Sequence, residues 1–489
     1  MAKCSFARTI TESNNADKLF PPVTINVLPD DVLLEIFNFY LDQRIFWEHE
    51  DVWHTLVHVC RRWRCVVFAS PHRLRLRLFC TNRRPVKKLL RIWPALPIVI
   101  KVSGTNSQKP GIANVIAALN KRDRVYEIFF ENISKSLLKQ FAAMKKPFPT
   151  LTRLWLVSDD ERAPILPDSF LGGSSPRLQT ISLGGISFRG PGKLLLSTTD
   201  LVCLRLWNIP RSGCIPPEAM VTCLSTLTRI KELELGFRSP RSLADIRNRR
   251  PPPLTRIVLP ALTKLQYHGD IEYLEDIVSR LDAPLLNDAH IVFFNQLVFN
   301  TPQLRQFISR TEKYKAPNHA DVIFEDGYVT VAIFPPDEAE DDTMLNLIVS
   351  CKPSDWQLSS LAQVCTSELS ALPSLERLHI NQYRQHWEDD MENSQWLELL
   401  RPFTATKDLF VYEELFGLIA PALEELAGEG VMGVLPALQN IFLQGPKPSE
   451  RIKKSIGEFI AARQVLDSPV TVYQRDGEDL DYGRWEVGD

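Results

Sequence analysis

Three clusters carry residue types and spacings that could support chemistry. His54 and His58 stand four apart, which on a helix puts two imidazoles on one face, and Cys60 and Cys65 follow. A zinc site needs more: no glutamate lies between the histidines in the H-E-x-x-H register, and no second ligand cluster appears downstream. Packing or surface histidines are the better reading. Gly428-Glu429-Gly430-Val431-Met432-Gly433 fits G-x-G-x-x-G, but it follows a helix-like run from Leu423 to Ala427, and Pro436 blocks a following helix. A dinucleotide site needs strand, turn and helix in that order, so these glycines read as a flexible turn. Glu388-Asp389-Asp390 lies in a mixed polar stretch and reads as solvated charge. Neither G-x-x-x-x-G-K-[ST] nor G-x-S-x-G occurs. The residue types point away from catalysis, and no cofactor and no metal are expected.

The elements that must carry these residues are those of an ordinary globular chain. Of 489 residues, 44% are hydrophobic and 24% charged, which excludes global disorder. Lysine plus arginine number 57 against 59 acids, a net charge of −2 that argues against a nucleic-acid coat protein. Proline (35) outnumbers glycine (21), so rigid turns must punctuate many elements. Nine cysteines without a C-x-x-C pair read as reduced thiols, which implies the cytoplasm or nucleus. Met1–Asn15 has no apolar core and does not read as a signal peptide, and no apolar run is long enough for a membrane span.

Residues 1–22 are polar and end in Pro21-Pro22, so a disordered arm is expected there. Asp30 and Asp31 precede Leu33, Ile36, Phe37, Tyr40 and Leu41 at helical spacing, a helix with acids in its first turn. A second helical stretch starts near Asp51 and carries Trp53, Leu56, Val57, Cys60 and Trp63 as far as Ser70-Pro71. Farther on, apolar residues recur at i, i+3 and i+5. The copies are Leu151-Leu154-Leu156, Leu178-Ile181-Leu183, Leu201-Leu204-Leu206, Ile230-Leu233-Leu235, Leu262-Leu265-Tyr267, Leu375-Leu378-Ile380 and Leu438-Ile441-Leu443. The first five begin 27, 23, 29 and 32 residues apart, near the leucine-rich-repeat period though irregular. Positions i+3 and i+5 share one face of a strand, and helical segments such as 136–144, 271–281 and 358–372 intervene. A strand–helix unit cannot bury its apolar face alone, so neighbours must stack. The fold class expected is therefore α/β: a small helical module at 23–70, a basic connecting segment at 71–110, an irregular leucine-rich-repeat-like β/α solenoid (horseshoe) over 111–470, and a C-terminal tail at 471–489. Arg238–Pro253 and Pro335–Asp342 read as exposed loops.

The helical module resembles the F-box. Leu28-Pro29-Asp30-Asp31-Val32-Leu33-Leu34-Glu35-Ile36-Phe37 and Leu56-Val57-His58-Val59-Cys60-Arg61-Arg62-Trp63-Arg64 follow the family's opening Leu-Pro-x-Glu/Asp, its Ile-Phe pair and its Val-Cys-Arg-Arg-Trp signature in order. The stretch between the halves, Asp42 to Glu50, is longer than usual for the family. The continuation through Ala69-Ser70-Pro71 and Trp93-Pro94 resembles a large group of F-box proteins of basidiomycete fungi. The resemblance implies a three-helix module that docks on a Skp-type adaptor, and through it on cullin and RING subunits, while the rest of the chain captures a protein substrate. That is the role of a substrate receptor in an SCF-type ubiquitin ligase, a non-catalytic one. A module of about forty residues is too small for a generous core of its own, so partner contacts should stabilise it. The adaptor-binding positions implied are Leu28, Pro29, Ile36, Phe37, Leu56, Val59, Cys60 and Trp63. Two alternatives stay open: a repeat scaffold whose degenerate F-box recruits no ligase, and a basic nucleic-acid-associated protein.

The last alternative rests on residues 61–91, which hold eleven lysines and arginines and no acid. Arg73-Leu74-Arg75-Leu76-Arg77-Leu78 alternates strictly, however, as a strand with one wet face would, and stacking aromatics are sparse. A solvated or protein-facing surface is the better reading. In the solenoid, residues alternating with the buried leucines should line the concave face and bind substrate: Arg153, Trp155, Arg205, Trp207, Glu232, Glu234, Gln266, His268, His379 and Phe442.

Overall fold

The computed structural model describes residues 25–484 except 43–51, 84, 103–108, 160–164, 187–192, 211–212, 241–255, 295–298, 316, 336–343, 352–353, 369–371, 383–391, 426–433, 446–449, 466–467 and 476–481. The arm at 1–22, the two loops at 241–253 and 336–342, the acidic triplet at 388–390 and the glycine motif at 428–433 lie outside the described residues. The chain divides into two units, Met1–Phe79 with Lys87–Ile98 and Cys80–Val86 with Val99–Asp489. Residues 71–110 are thus divided between the units.

In the first unit, α1 (Asp30–Asp42) opens on its two aspartates and buries Leu33, Leu34 and Phe37. The second helical stretch is two helices, α2 (Val52–Val59) and α3 (Arg61–Ala69). Cys60 breaks them. Its backbone is extended and its sulfur accepts the Trp63 N–H at 3.4 Å, a capping role that cysteine seldom takes and that its residue type does not announce. The basic residues tie these helices together. Arg62 bonds Asp30 at 2.6 Å and the Leu28 carbonyl at 2.6 Å, Arg64 donates to the Val57 carbonyl, and Arg73 pairs with Glu35. Leu74, Leu76 and Leu78 are buried, as strict alternation requires, but 71–75 is a turn with Arg75 at φ 47°, and β1 (Leu78–Thr81) begins only at Leu78.

The second unit is built on one large, mostly parallel sheet and one separate two-stranded pair. Its strands are β2 (Ile98–Val102), β3 (Val125–Phe130), β4 (Arg153–Val157), β5 (Thr180–Gly184), β6 (Cys203–Ile209) and β7 (Glu232–Phe237). After the two-residue β8 (Ile257–Val258) come β9 (Lys264–Gly269), the short β10 (Leu281–Asp282) and β11 (Asp288–Phe293). The separate pair is β8 with β10. β12 (His319–Glu325), β13 (Tyr328–Phe334) and β14 (Leu345–Ser350) follow, then β15 (Arg377–Gln382), β16 (Asp408–Tyr412), β17 (Asn440–Gln444), β18 (Thr471–Arg475) and β19 (Tyr482–Arg484). From β3 through β7, β9 and β11 each strand pairs in parallel with the next. An antiparallel meander interrupts this run. β11 pairs with β14, β14 with β13, β13 with β12, and β12 with β15, after which β15–β18 are again parallel. The meander turns at Asp326-Gly327, where Gly327 takes φ +90°, the aspartate–glycine signature of a two-residue hairpin. β18, expected as the head of a tail, is another parallel strand, and β19 pairs antiparallel with it.

Each of the seven i, i+3, i+5 copies is buried at all three positions. The structure extends the motif. The N–H of residue i donates to the carbonyl of i−3 at 3.0 to 3.4 Å in nine turns, from Leu151 to Leu438. Position i−3 is also buried: Phe148, Ser175, Thr198, Leu227, Leu259, Ala283, Leu372, Phe403 and Leu435. Six of these turns hold proline at i−2, namely Pro149, Pro176, Pro260, Pro284, Pro373 and Pro436. Proline presets φ there for the turn that leads into each strand, which is where much of the proline excess goes. The helices Lys135–Ala142, Ile271–Val278 and Ser354–Glu368 match the helical segments expected. Buried Glu275 caps another helix, accepting from Gln303 N at 2.9 Å and Leu304 N at 2.8 Å. The arrangement is mixed α/β with a large parallel sheet, like a leucine-rich-repeat solenoid.

Candidate interaction surfaces

Two surfaces carry the residues singled out by sequence, one in each unit. In the first unit the structure divides the eight adaptor positions. Phe37 and Leu56 lie in the core at 0% and 5% exposure, so they cannot meet a partner without displacing the unit's own packing. Trp63 is half-buried against Phe37, ring centroids 4.7 Å apart, and Cys60 is occupied as the cap of α3. Leu28 is half-buried, while Pro29, Ile36 and Val59 are exposed. Sequence reasoning missed Val32 and Phe39, 42% and 64% exposed. With Ile36 they fall at i, i+4 and i+7, an apolar stripe on α1 distinct from the buried Leu33/Phe37 stripe. A helix with apolar residues on two faces was visible in the sequence, but only one face can serve the unit's own core.

In the second unit all ten substrate positions stand on the face opposite the buried leucines, as their alternation requires. Arg153 and His268 are exposed and the other eight are half-buried. Strand register brings them into rows. Trp155, Ser182, Arg205, Glu234, Gln266 and His290 are successive lateral neighbours across β4–β7, β9 and β11. Arg153 and Glu232 belong to the row on one side of it, and Trp207 and His268 lie on the other side, where the register shifts between β6 and β7 after Leu206. Trp207 lies over Gly184, where a Cβ would come within 2.3 Å of the indole. Ser182 beside it is fully buried. Charges pair here: Arg205 with Glu232 at 2.7 Å and Glu234 at 3.9 Å, Lys264 with Asp288 at 2.6 Å. Burial alone would raise Glu232, but the bonds from Arg205 and Cys203, with Lys264 nearby, hold it below the ordinary range. Burial raises Glu234 and pushes the Cys203 thiol up to about 12, so this thiol is unreactive.

The meander separates His379 and Phe442 from those eight, which sequence did not foresee. The row continues through Asn346 of β14, Ala332 of β13 and Asp321 of β12 before it reaches His379, Phe410, Phe442 and Tyr473. The aromatic rings stack across strands. Phe410 and Phe442 are 4.4 Å apart with planes 9° from parallel, and Phe442 and Tyr473 are 5.0 Å apart at 13°. His319 stacks on Phe334 at 4.3 Å and on His379 at 5.2 Å. Asp321 lies 3.3 Å from His379 Nδ1. That approach is no ion pair. Burial raises Asp321 to about 6, and burial, with His319 and Arg377, lowers His379 to about 4, so above pH 6 a carboxylate faces a neutral imidazole. Phe410 escaped notice because its strand follows Thr406-Leu409-Val411, in which threonine replaces the leucine at i. Asp321, Ala332 and Asn346 belong to strands without the motif.

No family model matches the chain, and no curated protein matches it. Among solved structures, the chain is similar to the leucine-rich-repeat-containing protein LegL7 from Legionella pneumophila. The likeness covers 74% of this chain and 97% of that one, at 12% identity and a TM-score of 0.27. Among the described residues, no helix is long and apolar enough to cross a membrane.

Proposed function

We propose that the chain is the substrate-receptor subunit of an SCF-type cullin–RING ubiquitin ligase, in which the helical unit binds a Skp-type adaptor and the repeat unit holds a protein substrate. The observation that carries this reading is the exposed stripe of Val32, Ile36 and Phe39 on α1. Single exposed apolar residues are ordinary, but three at one-face spacing on a helix form the pattern by which helices dock into apolar grooves. The stripe lies within the segment that resembles the F-box. Such a subunit does no chemistry. It positions a substrate beside the ligase, so its requirements are two binding surfaces and a rigid connection, and a location in the cytoplasm or nucleus.

The test is co-expression of the full chain with a Skp-type adaptor, comparing the native sequence with Ile36→Asp plus Val59→Asp. Both positions are exposed, at 41% and 58%, so the carboxylates stay hydrated and the unit should remain folded. The native chain should retain the adaptor and the double variant should lose it at nearly unchanged melting temperature. Equal retention by both, or by neither, would contradict the ligase reading; the second outcome would favour a repeat scaffold that recruits no ligase.

A further inference from the structure

Several cations of the helical unit work against its own helices. Neither α3 nor α4 (Val86–Ile92) has an acid in its first turn; Arg61, Arg62 and Arg64 open the one, Lys87 and Lys88 the other. The first turn of a helix favours acids, so cations there cost stability. Two arginines are matched within the unit, Arg62 by Asp30 and Arg73 by Glu35, both acids of α1. Arg61, Arg64, Lys87, Lys88 and Arg91 are exposed, and none of them pairs with a carboxylate among the described residues. No acid occurs from residue 52 to 122, so the neighbouring chain cannot supply one. These charges do nothing for the fold.

Four of them share one side of the unit. Arg61, Arg64 and Phe68 fall at i, i+3 and i+7 on α3, and Lys88, Arg91 and Ile92 at i, i+3 and i+4 on α4. The two stripes converge on Trp93, the residue after α4. Its ring lies 6.3 Å from Phe68 and 5.1 Å from Trp53, and it stacks on His54 at 4.6 Å with planes 16° apart. Arg64 donates to the Val57 carbonyl at 2.9 Å, which holds its stem at the end of α2, beside His58, itself 6.2 Å from Trp93. Ile92, 54% exposed, puts an apolar residue in the same stripe as Lys88 and Arg91.

We infer that the face formed by Arg61, Arg64, Lys88, Arg91 and Ile92 docks an acidic segment of a protein partner, its carboxylates pairing with the cations and an apolar side chain lying on Ile92. Charge complementarity of this kind sets partner choice and speeds association. A nucleic acid fits the face less well. Trp53, His54, Phe68 and Trp93 pack on one another instead of standing free as platforms for bases. The whole chain carries a net charge of −2, which gives no long-range attraction for a long polyanion. A short segment responds to the charges within a Debye length of about 8 Å, and there the cations dominate. The face lies on α3 and α4 and the Val32/Ile36/Phe39 stripe on α1, so the inference goes beyond the adaptor reading and does not rest on it.

The experiment probes arrays of immobilised synthetic peptides, about twelve residues long and of varied composition, with the purified full chain, and a single-stranded oligonucleotide of about twelve residues in parallel. The native protein should retain peptides with aspartate or glutamate beside apolar residues, more weakly at about 200 mM salt than at about 50 mM. Lys88→Glu with Arg91→Glu should weaken that binding on the order of tenfold. The same charge change at Lys135 and Lys139, exposed on a helix of the second unit, should leave it unchanged, which separates this face from net charge. The melting temperature of the Lys88/Arg91 variant should not fall, since these cations stabilise nothing in the fold. Retention of no acidic peptide, tighter binding of the oligonucleotide than of any peptide, or equal loss in the two double variants would overturn the inference, as would acidic preference that survives Lys88→Glu with Arg91→Glu.

Discussion

Asp321→Asn should make the protein more stable at neutral pH, because the native carboxylate is ionised in a place that does not solvate it. Burial raises this acid to about 6 from an ordinary 3.8, and at 1.36 kcal/mol per pH unit that difference is about 3 kcal/mol. The folded state holds the proton more tightly than the unfolded chain does. The contribution of Asp321 to stability therefore falls as pH rises from about 4 to about 6, and the fall is complete above that. His379, lowered to about 4, contributes the opposite slope, because its unfolded imidazole holds a proton that the folded one does not. The native chain and the variant share that contribution, so their difference isolates Asp321. The asparagine is isosteric and uncharged but keeps a buried amide, so the net gain should be about 1–3 kcal/mol at pH 7.5. Denaturant midpoints followed by circular dichroism at pH 4, 5, 6 and 7.5 would measure it. The advantage of the variant should shrink toward zero at pH 4. A variant less stable than the native chain at pH 7.5, or an advantage that does not change with pH, would show that the carboxylate has a partner and that the reasoning is wrong.

Two further outcomes follow from packing. Gly184→Ala places a Cβ within 2.3 Å of the Trp207 ring, so the indole must move; about 1–3 kcal/mol of stability should be lost, with a red shift in tryptophan emission, and unchanged emission would contradict the contact. Glu275→Ala leaves the N–H groups of Gln303 and Leu304 without their buried acceptor and should cost about 1–3 kcal/mol, part of which Glu275→Gln restores; a melting temperature equal to that of the native chain would show that the cap contributes nothing.

The repeat architecture was legible because its signal is the burial pattern itself. Leucines at i, i+3 and i+5 must point one way from a strand, and every copy seen in the sequence is buried. The copies that escaped are degenerate in a way the geometry tolerates. Val125-Ile128-Phe130, Leu286-Ala289-Ile291 and Thr406-Leu409-Val411 occupy the same register positions with smaller or mixed side chains. Phe148-Pro149 before Leu151, or Leu435-Pro436 before Leu438, would have sharpened the pattern, since a buried residue opens all nine of these turns and a proline follows it in six. The meander of β12–β14 was beyond that signal. Its strands alternate without the leucine spacing, and only Asp326-Gly327 announces a hairpin. The candidate sites divided along the same line. Parity along a strand assigned the ten sheet residues to one face, but lateral neighbours such as Asp321 and His379 meet through pairing between distant segments. On α1, helical spacing could not tell which apolar stripe the unit keeps, and the packing of Phe37 against Trp63 decides that.

The most direct test of the account is amide hydrogen exchange of the full chain with and without a purified Skp-type adaptor. Adaptor binding should add protection in α1 around Val32, Ile36 and Phe39 and at Val59, exposed apolar positions of the helical unit, and leave the β15–β18 ladder unchanged. Protection confined to the repeat strands, or none anywhere at adaptor concentrations that saturate a known F-box protein, would contradict it.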